Sequence, residues 1–333
     1  MINCKLGKIA IIKNGKCNRQ DAILNGKYPL FDRSQVIKSS NDYIFDCPAI
    51  IVPGEGKEFI PRFYQGKFNL HQRCYCIQSR NNDQVSIKYL YYNILFNRHY
   101  FARVAVGSTV PSLRLVSFED MDLQIHTPAE QQHIVDTIGS VDSLIENYEE
   151  RISCLQKISS YLYLQLIEHS RKTSHLGNFI KIETGSMNLD ENDPNGRYPF
   201  YTRNIGTFYS NKYTNEGKGA VVAGEGNFTP KFVNGKFGLH QRAYFIQPNT
   251  TKLGPEVIYE IILSNKKYLE SVAVGSTVKS LRRFCFEQMP FFIDTDYFYL
   301  NQRLERLFGE IENLKRRENV LLNQKRILLN KYF

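Results

Sequence analysis

The chain repeats itself, and that fact constrains its fold more than any other. Residues 49–78 read AIIVPGEGKEFIPRFYQGKFNLHQRCYCIQ, and residues 220–247 read AVVAGEGNFTPKFVNGKFGLHQRAYFIQ. Two one-residue gaps align them, with 17 of 28 pairs identical. VAVGSTVPSLR (104–114) answers VAVGSTVKSLR (272–282) at 10 of 11 positions. Upstream, LGKIAIIKNGK (6–16) answers LGNFIKIETGS (176–186), and KYPLFDRS (27–34) answers RYPFYTRN (197–204). Four collinear matches at a nearly constant offset mean a tandem duplication with a period of about 170 residues. Whatever one copy folds into, the other folds into as well.

Each copy has two parts. The first, about 1–125 and 174–293, is strand-like: Ala49–Val52, Arg73–Gln78 and Ala243–Gln247 are β-branched or aromatic runs with Gly and Pro at their ends. Short helices are predicted at 85–99 and 255–268. The second part is a long helix. Thr127-Pro128-Ala129-Glu130 is a capping box with proline at the first helical position. Behind it, Ile134, Ile138, Val141, Ile145, Tyr148, Ile152, Leu155, Leu162 and Leu166 follow at alternating steps of four and three, broken only at Ser159. Such a seam predicts a coiled-coil helix over 128–170. At 1.5 Å per residue it is roughly 60–65 Å long, too long for one small domain.

A second helix keeps the register through Leu300, Leu304, Leu307, Ile311, Leu314, Leu321 and Leu328, with Glu318 and Lys325 at the seam positions that break. Two such stripes in one chain are expected to pair, although each could instead pack on its own domain. Duplicated units pack about a pseudo-twofold axis, which makes paired helices antiparallel. The expected fold is therefore α+β: two tandem recognition domains, β-rich with short helices, each followed by a long helix of an antiparallel coiled coil. The divisions are 1–126, 127–172, 173–294 and 295–333. Such an object can read two short DNA sequences separated by an unread gap, as dimeric repressors do.

Composition agrees with a nucleic-acid partner without requiring one. Lys and Arg number 43 against 33 Asp and Glu, a formal charge of +10. Seven cysteines, an odd number with no C-x-x-C pair, argue against a disulfide framework and a zinc ribbon. With no signal peptide and no run of 18 apolar residues, the expectation is a soluble, cytoplasmic protein with no membrane partner.

These motifs together resemble the specificity (S) subunits of type I restriction-modification systems. GKF-x-L-HQR-x-Y-x-IQ (66–78 and 235–247) is similar to a strand pair of that family's recognition domains, and VGSTVPSLR (106–114) to their closing motif. TPAEQQHIVDTI (127–138) resembles the start of the family's spacer helix, and KRILLNKYF (325–333) its C-terminal helix. The second copy departs from the pattern, with DTDYFYLNQRLERL (294–307) in place of the Pro and EQ signature. The resemblance implies a non-catalytic subunit that binds double-stranded DNA at a bipartite, gapped target. It implies two methyltransferase (M) subunits as partners, which use S-adenosylmethionine to methylate adenine, and two restriction (R) subunits able to join them. No cofactor is expected in this chain itself. Two other readings stay open: the specificity subunit of a related system with a fused nuclease-methyltransferase partner, and a coiled-coil scaffold with no DNA role.

Chemistry within the chain is not indicated. There is no Walker A pattern and no Asn- or Asp-Pro-Pro-aromatic tetrapeptide. Gly54-Glu55-Gly56 and Gly224-Glu225-Gly226 read as tight turns. Asp46, Glu55 and Lys57 loosely fit a nuclease metal site, but Asn227 replaces the lysine in the second copy. Cys74 and Cys76, near His71, give way to Ala243 and Phe245, as core residues would.

The duplication also sorts DNA contacts. Residues shared by both copies suit scaffold or phosphate roles, which carry little sequence information. They are Arg33/Arg203, Arg62/Lys231, Lys67/Lys236, Arg73/Arg242, Ser108/Ser276, Thr109/Thr277 and Arg114/Arg282. His71 and His240 either brace a backbone carbonyl at a strand start or contact DNA. Base reading is expected where the copies diverge inside matched frames: Lys57-Glu58-Phe59-Ile60 against Asn227-Phe228-Thr229, and Ser34-Gln35 against Asn204-Ile205. Lys and Gln suit guanine and adenine edges, and Asn suits adenine.

Overall fold

The computed structural model describes residues 1–204, 206–293 and 296–333. Ile205 and the predicted boundary at 294 and 295 lie outside the described residues. The chain forms two compact units, one of 1–147 with 318–333 and one of 148–317.

In the first copy the elements run β1 (Ile2–Lys5), α1 (Leu6–Ile9), β2 (Ala10–Asn14), β3 (Tyr28–Phe31), β4 (Lys38–Ser40), β5 (Phe45–Pro53), β6 (Arg62–Leu70) and β7 (Cys74–Ser79). Then come α2 (Ile87–Phe96), α3 (His99–Val104), α4 (Leu115–Glu119), β8 (Asp122–Ile125) and the long helix α5 (Pro128–Ile167). The second copy repeats the series: β9 (Thr173–His175), β10 (Ile180–Thr184), β11 (Tyr198–Tyr201), β12 (Phe208–Ser210), β13 (Asn215–Ala223), β14 (Lys231–Leu239) and β15 (Ala243–Pro248). It closes with α6 (Pro255–Ser264), α7 (Lys266–Val272), α8 (Arg283–Glu287), β16 (Pro290–Phe292) and the second long helix, α9 (Phe298–Tyr332). Both six-stranded sheets have the same order, β2-β7-β5-β6-β3-β4 and β10-β15-β13-β14-β11-β12. Each is antiparallel except at β3–β6 and β11–β14.

The central strands are buried on both faces. Ile50, Val52, Tyr75 and Ile77 pack with Leu90, Phe101 and Phe118 of the helices. The alternate residues Ala49, Ile51, Cys74 and Cys76 pack with Phe31, Phe68 and Leu70. This is period-two alternation with a core on each side, each large apolar side chain adding about 1.5–3 kcal/mol when fully buried. Cys74 and Cys76 are therefore core residues: burial pushes the Cys74 thiol up to about 11 and raises Cys76 as well. Gly66 (φ +127°) and Gly235 (φ +103°) sit within β6 and β14, in a backbone region where a side chain would be strained. At Gly15 and Gly185, a Cβ would stand 2.1 Å from the carbonyl oxygens of Leu70 and Leu239.

Strand register corrects one detail of the alignment. Ile50 pairs with Phe63 and Ile77, and Ala220 pairs with their counterparts Phe232 and Ile246. Ile50, not Ala49, thus answers Ala220, and Pro53 answers Ala223. No gap falls before Gly54; the length difference lies in the turn between Gly56 and Phe59.

The predicted short helices each divide in two. Asn97 and Asn265 turn their amides back onto the carbonyls of Asn93 and Ile261, at 3.0 and 2.9 Å, and end the first helix of each pair.

Helix α5 starts where the capping box places it. Thr127 N donates to Glu130 Oε2 at 3.0 Å, and Glu130 N to Thr127 Oγ1 at 3.4 Å. In the first unit, Ile134 and Ile138 pack in one core with Leu329 near the end of α9. In the second, Ile152 packs with Ile311 and Leu314, and Arg151 pairs with Glu310 at 3.3 Å. Within the first unit Asp142 meets Lys325 and His133 meets Tyr332, so α5 and α9 run antiparallel there. Two of the three polar breaks in the seam, Lys325 and Ser159, have partners on other elements. Lys325 Nζ lies 2.6 Å from Asp142. Ser159, fully buried, donates to Glu260 of α6.

Candidate nucleic-acid interface

Each copy builds the same charged cluster at the mouth of its sheet. Glu55 follows β5 in the Gly54-Glu55-Gly56 turn. Its carboxylate accepts from Arg33, just after β3, and from Arg73, just before β7. In the second copy Glu225 accepts from Arg203 at 3.4 Å and Arg242 at 2.6 Å. The glycines permit this closeness: Gly54 N donates to Arg73 O and Gly224 N to Arg242 O, both at 2.8 Å. The VGSTV loops are tied to the same turns. Gly56 N donates to Pro111 O at 3.0 Å, and Gly226 N to Lys279 O at 3.2 Å.

One carboxylate facing two guanidiniums leaves a net positive charge. The Glu55 and Glu225 side chains are 9% and 17% exposed, whereas their four arginines are 47–58% exposed. The glutamate thus fixes two cations whose outer N–H groups remain free to meet an anion. Burial tends to raise the Glu55 carboxyl, but hydrogen bonds from Arg73 and Arg33 outweigh it and hold it below the usual range. Arg242 does the same for Glu225, against a smaller burial effect. Beside each cluster the loop residues Ser108, Thr109, Ser276 and Thr277 are exposed. Arg114 and Arg282, one residue past the buried Leu113 and Leu281, are exposed as well and stand at the N-caps of α4 and α8.

Other shared residues have inward tasks. His71 Nδ1 accepts from Arg73 N at 3.1 Å, and His240 Nδ1 from Arg242 N at 3.0 Å. The histidines therefore brace a backbone amide, not the carbonyl anticipated. Burial lowers both pKa values, with the neighbouring arginines adding to the effect, so the rings are neutral acceptors. Arg62 donates to the carbonyls of Ser34 and Asp32 at 2.9 and 2.7 Å. Lys231 donates to those of Asn204 and Gly206 at 3.0 and 2.9 Å. Both are loop braces in the same place. Lys67 lies over Tyr43 at 4.8 Å and Lys236 over Tyr213 at 4.7 Å, both on the open surface.

The divergent candidates separate into two settings. In the first copy Ser34, Gln35 and Lys57 are all exposed, and the Ser34 hydroxyl donates to Asp32 at 2.6 Å. In the second, Asn204, Asn227 and Thr229 line one cleft of about 230 Å³ with Arg203 and Lys231 at its edge. Asn227 Oδ1 accepts from Thr229 N at 2.9 Å, which fixes the turn.

Sequence reading passed over two partners of these residues. Glu55 and Glu225 read as turn residues, and Glu55 also as one member of a loose nuclease-like set, yet both copies keep the glutamate together with both arginines. Tyr43 and Tyr213 sit in a shared S-N-x-Y string. Among the described residues, no group of three or more His, Cys, Asp or Glu could hold a metal ion. Glu55 is committed to its arginines, which removes the carboxylate from the nuclease-like triad with Asp46 and Lys57. No helix among the described residues is long and apolar enough to cross a membrane.

Comparison with known proteins gives a consistent result. The model of the type I restriction modification DNA specificity domain matches the chain twice, over residues 3–157 and 169–295. Over 154 residues the chain is 28% identical to the specificity subunit of the type I restriction enzyme EcoDI from Escherichia coli. That match takes in 46% of this chain and 34% of the relative, so it spans about a third of the relative's length. Among solved structures, the fold is similar to the S subunit of a type I restriction-modification system from M. genitalium. The TM-score is 0.60 at 15% identity, covering 100% of this chain and 96% of that one.

Proposed function

The chain belongs to the type I restriction modification DNA specificity domain family, and from that premise we propose that it reads a bipartite, gapped DNA target and brings methyltransferase subunits to it. The observation that carries this reading is the pair of matched clusters, Glu55 with Arg33 and Arg73, and Glu225 with Arg203 and Arg242. Each presents two held cations beside a serine- and threonine-bearing loop, a set suited to adjacent phosphates. Each stands next to loops that differ between copies, so phosphate anchoring is shared while base contact is not. Two different readers on one chain suit two different half-sites. The helices α5 and α9 would set the gap.

In this reading the chain carries no catalysis. Two methyltransferase subunits bind S-adenosylmethionine and act on adenine, and two restriction subunits can join them. The test is reconstitution. Chain and methyltransferase together should transfer methyl groups to target DNA, and neither should do so alone. Methylation or cleavage by the purified chain would contradict the proposal.

A further inference from the structure

The cleft of the second copy has a composition that selects among base edges. Its floor is Val221 and Ala223, and Arg203, Asn227, Thr229 and Lys231 stand around it. Strand register and sequence offset pair four of them with first-copy residues. Ile51 answers Val221, Pro53 answers Ala223, Ile60 answers Thr229 and Arg62 answers Lys231. All four are larger, whereas Arg203 answers an arginine and Asn204 a smaller serine, so the first copy places more side-chain volume on the apolar floor and its near edge. A size difference inside a shared frame is what two readers of different half-sites require.

The polar groups narrow the choice further. Asn227 Oδ1 accepts from Thr229 N, which fixes the side chain and leaves its Nδ2 amide available to donate. Arg203 and Lys231 are donors as well, with Arg203 held by Glu225 and Lys231 by two loop carbonyls. With Arg203 and Lys231 beside Asn227 the cleft is rich in donors, which favours a base edge that offers an oxygen acceptor, guanine O6 or thymine O4. Guanine and thymine both offer acceptors, but only thymine adds a methyl group for an apolar floor.

We propose that this cleft reads a thymine in the half-site of the second copy, with O4 facing Asn227 and Arg203 and the C5 methyl on Val221 and Ala223. The proposal rests on the DNA-reading function argued above.

The test uses the full chain in complex with its methyltransferase partner and duplexes carrying the target. Each thymine in turn is replaced by deoxyuridine, which lacks only the methyl. At one thymine of one half-site, binding should weaken about fourfold, the worth of one buried methyl. The double variant Val221→Ile with Thr229→Ile takes the first copy's residues. It should erase the thymine–uracil difference at that position while reading the other half-site normally, which also shows that it folds. Deoxyuridine tolerated at every position, a variant that keeps the difference, or a second half-site of G·C pairs alone would overturn the proposal. Absence of any sequence-specific binding by the unaltered complex would instead overturn the DNA-reading function itself.

Discussion

Lys325 Nζ lies 2.6 Å from Asp142 Oδ1, and Tyr92 donates its hydroxyl to the other carboxylate oxygen at 2.8 Å. Both charged side chains are largely buried, at 18% and 13% exposure, so neither tolerates loss of the other. Lys325→Met or Asp142→Asn alone should destabilise the fold by about 2–4 kcal/mol, because an unpaired charge stays behind. The double variant should recover much of that loss, since the amide still accepts from Tyr92. Thermal or denaturant unfolding checks this, and strictly additive losses would count against it.

Glu260 sits at the corresponding place in the second unit, accepting from Ser159 and Ser160. Burial raises its pKa, the two hydroxyls only partly opposing that. A carboxyl raised in the folded state adds stability at low pH that is lost as pH rises through the folded value. Unfolding free energy should therefore fall across the range above the normal carboxylate pKa. Glu260→Gln should flatten this trend. Ser159→Ala should cost about 1–2 kcal/mol by removing a buried hydrogen bond. An unchanged pH profile in the glutamine variant would refute the assignment.

Arg62 and Lys231 brace equivalent loops with different side chains. Arg62→Ala should cost roughly 2–3 kcal/mol, as two hydrogen bonds from a charged donor are lost. Arg62→Lys should be milder, because Lys231 does the same work in the other copy. The loop carries Ser34 and Gln35, so the alanine variant should also blur one half-site and spare the other. Methylated-motif mapping in each variant distinguishes these outcomes.

Much of this was legible in the sequence because it is local or periodic. The capping box at Thr127 and Glu130, the α5 and α9 seam, and the core placement of Cys74 and Cys76 follow from spacing and from comparing copies. What escaped depended on tertiary proximity. Glu55 is 22 residues from Arg33 and 18 from Arg73, and only the curled sheet joins them. The breaks at Asn97 and Asn265 came from side chains competing for backbone carbonyls, which hydrophobic periodicity does not register. The alignment gap went astray because Ala49 and Ala220 match in type while strand pairing places Ile50 opposite Ala220's partners.

Glu55→Gln and Glu225→Gln test the anchoring role directly. Each should loosen two arginines and weaken DNA binding by roughly 1–2 kcal/mol. Both glutamates have pKa values held below the ordinary range. Their contribution to folding is thus complete above the normal carboxylate pKa and lost as pH falls through the lower folded value. Unfolding free energy should therefore fall as pH drops below the normal carboxylate range, and the glutamine variants, less stable near neutrality, should show a flatter acid limb. Equal acid profiles would contradict it.

The most direct test of the account is a base-modification map of the host genome with the gene intact and deleted. The account predicts a gapped, two-part adenine-methylated motif that disappears on deletion, one half of which degrades in the Glu55→Gln variant and the other in Glu225→Gln. A host whose functional methyltransferase marks the same motifs with and without this chain would contradict it.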